Sequence, residues 1–323
     1  MRGRVPLARL DCSDYAHPLD AEALRTLKAI PGLALVVRKA NEVGLDQIAR
    51  LQSLANKVRV TERQFSRLYS LFEEARSTLG IQVPVELYVQ QMYSLNAYTN
   101  GVEYPHVTVT TSLTSVLTDE ELMFVLGHEL GHVKSEHVLY RQIGYYLPMM
   151  IHVIGPSTLG IGNIIAMGLN AALYDWMRKG ELTADRAGLL ACQNPTAAQT
   201  ALCKLAGVPD TMVGTFDIAE LQAQVDEFNH LSKDASGVVI QHLVQMWDSH
   251  PWIAIRLTEL RQWVDAGHFH SILERRGADS GLASLGAGSS AHQARRCPVC
   301  SQEYPPNSSY CIYCGAYLSE ERS

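Results

Sequence analysis

The sequence predicts an α+β fold: a mainly helical body, a small antiparallel sheet, and a short cysteine-rich module at the end of a linker. Three observations carry this. Apolar residues recur at three- and four-residue spacing along most of the chain, as in LDQIARLQSLANKV and ERQFSRLYSLFEEARSTLG. Two short runs, VPVELYVQQ and YPHVTVTTSL, read as strands, the second rich in valine and threonine. The stretch RGADSGLASLGAGSSAHQARR, dominated by Gly, Ser and Ala, separates everything before it from a tail with two C-x-x-C pairs.

The elements follow in order. Residues 1–60 form an N-terminal helical region, and a main domain spans 61–275. Gly80 stops the helix of ERQFSRLYSLFEEARSTLG, and Asn100-Gly101 marks a turn between the two strands. Thr118, with Glu121 three residues on, is a capping box that opens the next helix. Residues Tyr145 to Tyr174 are strongly apolar, yet Pro148, His152, Pro156, Gly160, Asn163 and Asn170 interrupt them. The uninterrupted pieces fall short of the ~20 residues a spanning helix needs. The span therefore reads as a buried helical hairpin, with membrane contact through 145–174 as the competing reading. Helices resume at Trp176 and run to about Gly207, then over 217–232 and 236–266; a flexible linker covers 276–296 and the cysteine module 297–323.

Bulk properties narrow the class. With 323 residues, 47% hydrophobic and 19% charged, the chain has the balance of a globular protein with a sizeable core. Its net charge of -6 offers no basic surplus for nucleic acid. The first twenty residues carry arginines but no apolar run behind them, which does not read as a secretory signal. An odd set of 7 cysteines without such a signal favours reduced thiols, hence a cytoplasmic protein, free or peripheral at a membrane.

The chemistry concentrates in FVLGHELGHVKSEH, residues Phe124 to His137. His128 and His132 are four apart, so on a helix both point from one face toward one spot. Zinc accepts imidazole nitrogens there, at about 2.0–2.1 Å. Glu129, next to the first histidine, reaches the side where a water would sit. Gly127 and Gly131 are poor helix formers, and their place in this helix implies close packing against a neighbour. A third ligand is needed. His137 does not suit the metzincin template, which requires Gly in place of Ser135 and His in place of Val138, so His137 is expected at the surface. Glu181, in RKGELTADRAGLL, is the better candidate, with Asp185 on the same helical face to hold a ligand histidine.

LGHELGH, ELTADRAG and SHPWIAIRLTEL, in that order, resemble the HtpX-like zinc metallopeptidases, gluzincins whose family includes the type-one CAAX prenyl endopeptidase. The resemblance covers roughly residues 60–265 and includes LNAYTNGVEYPHVTVTTSLTSVLTDEELMFVLGHELGH. It implies one catalytic Zn²⁺ on His128, His132 and Glu181, and peptide-bond hydrolysis of a polypeptide substrate with Glu129 as general base. It assigns His250 as the donor to the oxyanion, with a fourth zinc ligand as its competing role. Arg256 lies near the same cleft or is a structural ion-pair arginine. Asn96 and Ala97 precede a strand, 104–111, expected to be the sheet edge to which substrate adds. Protein quality control is the setting this suggests.

In the tail, Cys297, Cys300, Cys311 and Cys314 form two zinc knuckles, hence a zinc ribbon with a second, structural zinc. A ribbon this small suits recognition of a protein partner. The rival to the enzyme is a catalytically silent metalloprotein scaffold whose ribbon binds that partner; the intact Glu129 argues against it.

Overall fold

The computed structural model describes residues 4–30, 32–154, 163–231, 253–283, 295–297 and 303–304. The described N-terminal residues form three helices, α1 (Pro18–Lys28), α2 (Leu33–Val43) and α3 (Leu45–Asn56). Strand β1 (Val58–Val60) and helix α4 (Ser66–Thr78) follow. The sheet is completed by β2 (Glu86–Gln90), β3 (Ala97–Asn100) and β4 (His106–Thr110).

The sheet departs from expectation twice. Its order is β1-β2-β4-β3, and β2 runs parallel to β4 while the outer pairs are antiparallel, so the sheet is mixed. The strand at 104–111 is also not the edge. The Asn100-Gly101 turn is real, with Gly101 at φ 83, but it joins β4 to a short strand, AYTN, that hairpins onto it. Internal β4 is consequently buried at every residue, and β3 is the edge strand beside the helices.

Helix α5 (Thr111–Val116) leads to α6 (Asp119–Lys134), which opens on the predicted capping box: Thr118 Oγ1 accepts from the Glu121 amide and the Glu121 carboxylate accepts from the Thr118 amide at 2.8 Å. Residues Glu121 to His132 of α6 are all buried. Its principal neighbour is α8 (Asn163–Cys192). The glycines explain how closely the two approach. A Cβ on Gly127 would stand 2.3 Å from Ala191 Cβ, one on Gly131 2.6 Å from Ala187 Cβ, and one on Gly188 2.7 Å from the Phe124 carbonyl oxygen. Backbone meets backbone, as the sequence expectation for Gly127 and Gly131 required.

The apolar span supplies α7 (Val138–Ile154), with Pro148 inside it, and the start of α8; the two helices pack on each other. Helix does not resume at Trp176: α8 is one helix of 30 residues from Asn163. Among the described residues no helix is long and apolar enough to cross a membrane. Beyond α8 come α9 (Pro195–Leu205), α10 (Ile218–Leu231), α11 (Ile253–Asp265) and α12 (His268–Ala283). The last of these runs into the stretch read as linker, which begins at 276 in the sequence reading. Two-residue strands β5 (Arg295–Arg296) and β6 (Glu303–Tyr304) pair antiparallel.

Among the described residues, two apolar clusters gather the buried side chains. One gathers the sheet, α4, α6, α9, α11, α12 and the C-terminal part of α8. The other gathers α1, α2, α7 and Leu169, Leu173, Trp176 and Met177 of α8. Between these two stretches, α8 carries Glu181, Thr183 and Asp185, all buried.

Candidate metal centre

Helix α6 presents His128 and His132 one turn apart, and α8, locked against it by the glycine contacts, presents Glu181 to both. One ligand atom from each of the three lies within 4.8 Å of the others, and all three residues are buried. Glu181 Oε2 is 3.3 Å from His128 Nε2, and Oε1 is 3.4 Å from His132 Nε2. A tetrahedral zinc with bonds of about 2.0–2.1 Å spaces its ligand atoms about 3.3–3.4 Å apart, so the set has the dimensions of a zinc site. Two of its atoms, His132 Nε2 and Glu181 Oε2, are buried without a hydrogen-bond partner, as atoms reserved for a metal would be.

The electrostatics agree. Burial works against charge on His128, but the carboxylates of Asp185 and Glu181 outweigh it and raise its pKa to about 9. The cluster thus asks for positive charge at the point where a metal cation would replace that proton. Burial and the Arg141 guanidinium hold His132 well below its ordinary value, leaving it neutral as a ligand must be. Burial alone would push Glu181 up; Arg141 and the two histidines overcome it and keep this carboxyl well below the usual range.

The surrounding groups fix the ligands. His128 Nδ1 is 2.9 Å from Asp185 Oδ1. Arg256 grips that aspartate with two bonds, Nε to Oδ2 and an NH2 group to Oδ1, both 2.7 Å, and its other terminal nitrogen is 3.2 Å from Glu181 Oε2. Arg256 is buried, with its guanidinium turned to Asp185 and Glu181. Arg141, from α7, donates to Glu181 Oε1.

Glu129 lies beside the triad without joining it. Its carboxylate accepts from Thr99 Oγ1 of β3 at 2.7 Å. Burial raises its pKa, against the pull of His128 and Arg141 and of the Thr99 bond. Asn96 and Ala97 open the edge strand: the Asn96 amide donates to Thr110 Oγ1 at 3.1 Å, and Ala97 begins the pairing with β4 opposite Val109.

The structure therefore brings together His128, Glu129, His132, Glu181, Asp185 and Arg256, with Asn96 and Ala97 on the neighbouring edge. His250, Cys300, Cys311 and Cys314 lie outside the described residues; Cys297 is buried beside β5. One expectation is wrong. His137 is not at the surface but 2% exposed, because Glu136 takes a left-handed turn (φ 57) after α6 and folds the next residue back beneath His132. Sequence reading also missed Arg141, Thr99 and Asp20. Arg141 had a signal, since it stands four residues after His137 on an apolar helix; the other two had none.

Peptidase family M48 matches residues 62–264. Plastoglobule-localized metallopeptidase 48, chloroplastic, of Arabidopsis thaliana is 33% identical over 285 residues, 85% of this chain and 81% of that protein. A Protease HtpX homolog of Tropheryma whipplei is 28% identical over 185 residues, 50% of this chain and 62% of that protein. One of Bacteroides fragilis is 28% identical over 234 residues, 62% and 70% of the two chains. No solved structure matches. The family match takes in both ligand helices and the edge strand, and the first of these relatives aligns along most of its length: the chain belongs to peptidase family M48 and is a zinc metalloprotease.

Proposed function

We propose that this chain is a zinc-dependent endopeptidase in which Glu129 is the general base and which clears unfolded polypeptide in protein quality control. The observation that carries the reading is the pairing of a zinc-sized triad with a separate carboxylate, Glu129, held by Thr99 and free of any ligand duty. Bound to His128, His132 and Glu181, zinc would polarise the scissile carbonyl and lower the pKa of water toward about 7.

The protein's own groups do the remainder. Glu129 takes the proton of the attacking water on its carboxylate, aided by the burial that raises its basicity, and returns it to the leaving amine. Thr99 keeps one carboxylate oxygen in place through both transfers. Asp185, clamped by Arg256, holds His128 in the tautomer that leaves Nε2 for the metal. His250 donates to the oxyanion. The edge of β3 takes the substrate in extended form by main-chain hydrogen bonds. Recognition through the main chain is tolerant of sequence and needs an extended segment, which supports unfolded proteins as substrates.

Cys297, Cys300, Cys311 and Cys314 hold a second, structural zinc in a ribbon that binds a protein partner; the apolar 145–174 region serves as a packed helical hairpin, with peripheral contact at a membrane surface as the competing reading. Metal analysis and casein digestion test the whole. The expected results are two zincs per chain, one after deletion of 284–323, and digestion lost by about 10²–10⁴-fold in Glu129→Gln with zinc retained. Zinc lost in Glu129→Gln would show Glu129 to be a ligand, and full digestion would remove it as the base.

A further inference from the structure

The two ligand histidines are braced in different ways. His128 meets its carboxylate directly, at Asp185, four residues from Glu181 on the same helix. The corresponding nitrogen of His132, Nδ1, meets another imidazole: His137 Nδ1, 3.0 Å away. Across that ring, His137 Nε2 lies 3.2 Å from Asp20 Oδ2. Asp20 in turn accepts from Trp176 Nε1 at 2.9 Å and from Thr183 Oγ1 at 2.6 Å. His132, His137, Asp20, Trp176 and Thr183 are each at most 4% exposed.

The direction of every bond follows from the first. A neutral imidazole that gives Nε2 to a metal keeps its proton on Nδ1 and must donate there. His137 then has to accept at Nδ1, which leaves its own proton on Nε2, facing Asp20. Asp20, as a carboxylate, accepts from all three donors around it, and each ring nitrogen of the relay has a single role. Asp20 sits in the first turn of α1, outside the 62–264 segment that carries the ligands. The segment bearing it is pinned across α8 at the same level. The His17 amide donates to Thr183 Oγ1 at 3.0 Å, His17 Nε2 lies 3.1 Å from Glu259, and Arg186 donates to the Tyr15 and Ala16 carbonyls at 3.2 and 3.1 Å.

We propose that His137 and Asp20 are positioning residues for the metal ligand His132, joined as a histidine-relayed carboxylate brace, so that the N-terminal segment completes the metal centre. The proposal rests on the reading of His128, His132 and Glu181 as the ligands. Neither residue touches substrate; their effect is on how firmly and in what orientation His132 offers Nε2.

The test is a Co²⁺ or Zn²⁺ affinity measurement by chelator competition on the full chain, with the His132→Ala variant as the blank for metal held elsewhere. His137→Leu and Asp20→Asn are each expected to weaken the His132-dependent site about 10- to 100-fold, the usual cost of losing a ligand's outer partner. His137→Gln, which can still accept from His132 and donate to Asp20, should stay within a few-fold of the parent. A residue that only fills space would show no such order, since leucine packs there as well as glutamine. Because the two act in one chain, His137→Leu/Asp20→Asn should bind no more weakly than His137→Leu alone. Parent-like affinity in Asp20→Asn, which preserves shape and so preserves the fold, overturns the brace, as does a glutamine variant as weak as the leucine one. If His132→Ala itself leaves metal affinity unchanged, the ligand assignment fails and the brace falls with it; if His132→Ala loses the site while the other variants keep it, the brace alone is wrong.

Discussion

The two ends of α8 live in different interiors. Around Ala187, Leu189, Leu190 and Ala191 the helix is pressed so tightly on α6 that glycines are needed on both sides, and the cluster reaches out to the sheet. Around Leu169, Leu173, Trp176 and Met177 it packs side chain on side chain against α1, α2 and α7; a Cβ on Gly144 of α7 would meet the flexible end of Met177, its Sδ at 2.6 Å, and one on Gly168 would meet nothing within 4 Å. The polar residues lie in the seam between the two. Their partners come from both sides: Arg256 and the histidines from the first cluster's helices, Asp20 and Arg141 from the second's. A metal site with this many buried charges cannot sit inside either apolar cluster, but where two clusters adjoin, polar groups can satisfy each other.

The contrast can be broken experimentally. The largest effect belongs to the seam itself. Arg256→Leu leaves the Asp185 carboxylate enclosed without its cation, and removing one partner of such a pair costs about 3–5 kcal/mol. Arg67→Leu, which breaks an exposed pair with Asp119, should change stability by about 0–1 kcal/mol in the same denaturant titration. Equal costs would mean the seam is open to water.

Next come the interiors. Leu190→Ala and Leu173→Ala, both at 0% exposure, should each cost about 2–5 kcal/mol. Because one unbroken helix runs through both clusters, each variant is expected to unfold in a single transition, with near-ultraviolet circular dichroism and metal release coinciding. Two separate transitions would show the clusters to be independent units.

A finer comparison uses the glycines of α8. Gly188→Ala drives a methyl toward the Phe124 carbonyl oxygen, 2.7 Å away, and should cost about 1–3 kcal/mol. Gly168→Ala, in open space on the same helix, should stabilise by about 0.5–1 kcal/mol. Thermal melts of the pair should therefore shift in opposite directions.

The smallest effect is a pH slope. Lys57 bridges α3 and β4 through Ser53 Oγ at 2.8 Å and Thr108 Oγ1 at 3.0 Å, and burial lowers its pKa to about 8. The folded state then binds fewer protons than the unfolded chain between pH 8 and an unfolded value near 10.4. Stability attributable to Lys57 should rise with pH across that window, and the cost of its charge is fully present below it. The group is partly solvated, so the slope is shallow; Lys57→Met should flatten it.

What could be read from the sequence was whatever repeats or is spaced. The capping box of α6, both ligand histidines, the glycines between them and the four-residue step from Glu181 to Asp185 are local regularities, and all lie where helical geometry puts them. What escaped was set by tertiary placement. AYTN is too short to alternate, so β3 was lost and β4 mistaken for the edge. His137 ends a polar run, VKSEH, that resembles a solvated helix terminus; only the left-handed turn at Glu136 carries it inward. Asp20 and Trp176 meet across 156 residues, and no window of sequence contains both. The join between hairpin and ligand helix was misjudged because the prolines and glycine near residues 148–160 suggest a longer interruption than the helix boundary at Asn163 leaves.

That last separation has a consequence for how the protein is made. Asp20 leaves the ribosome ahead of its hydrogen-bonding partners Trp176 and Thr183, which follow 156 and 163 residues later. At about 5–20 residues per second, the N-terminal helices wait roughly ten to thirty seconds for the helix they will brace. His128 and His132 emerge in the interval with no glutamate to join them, since Glu181 arrives on the same late helix. Zinc capture in the nascent chain is thus timed by the synthesis of α8, and one segment closes the metal centre, joins the two interiors and secures the N-terminus together.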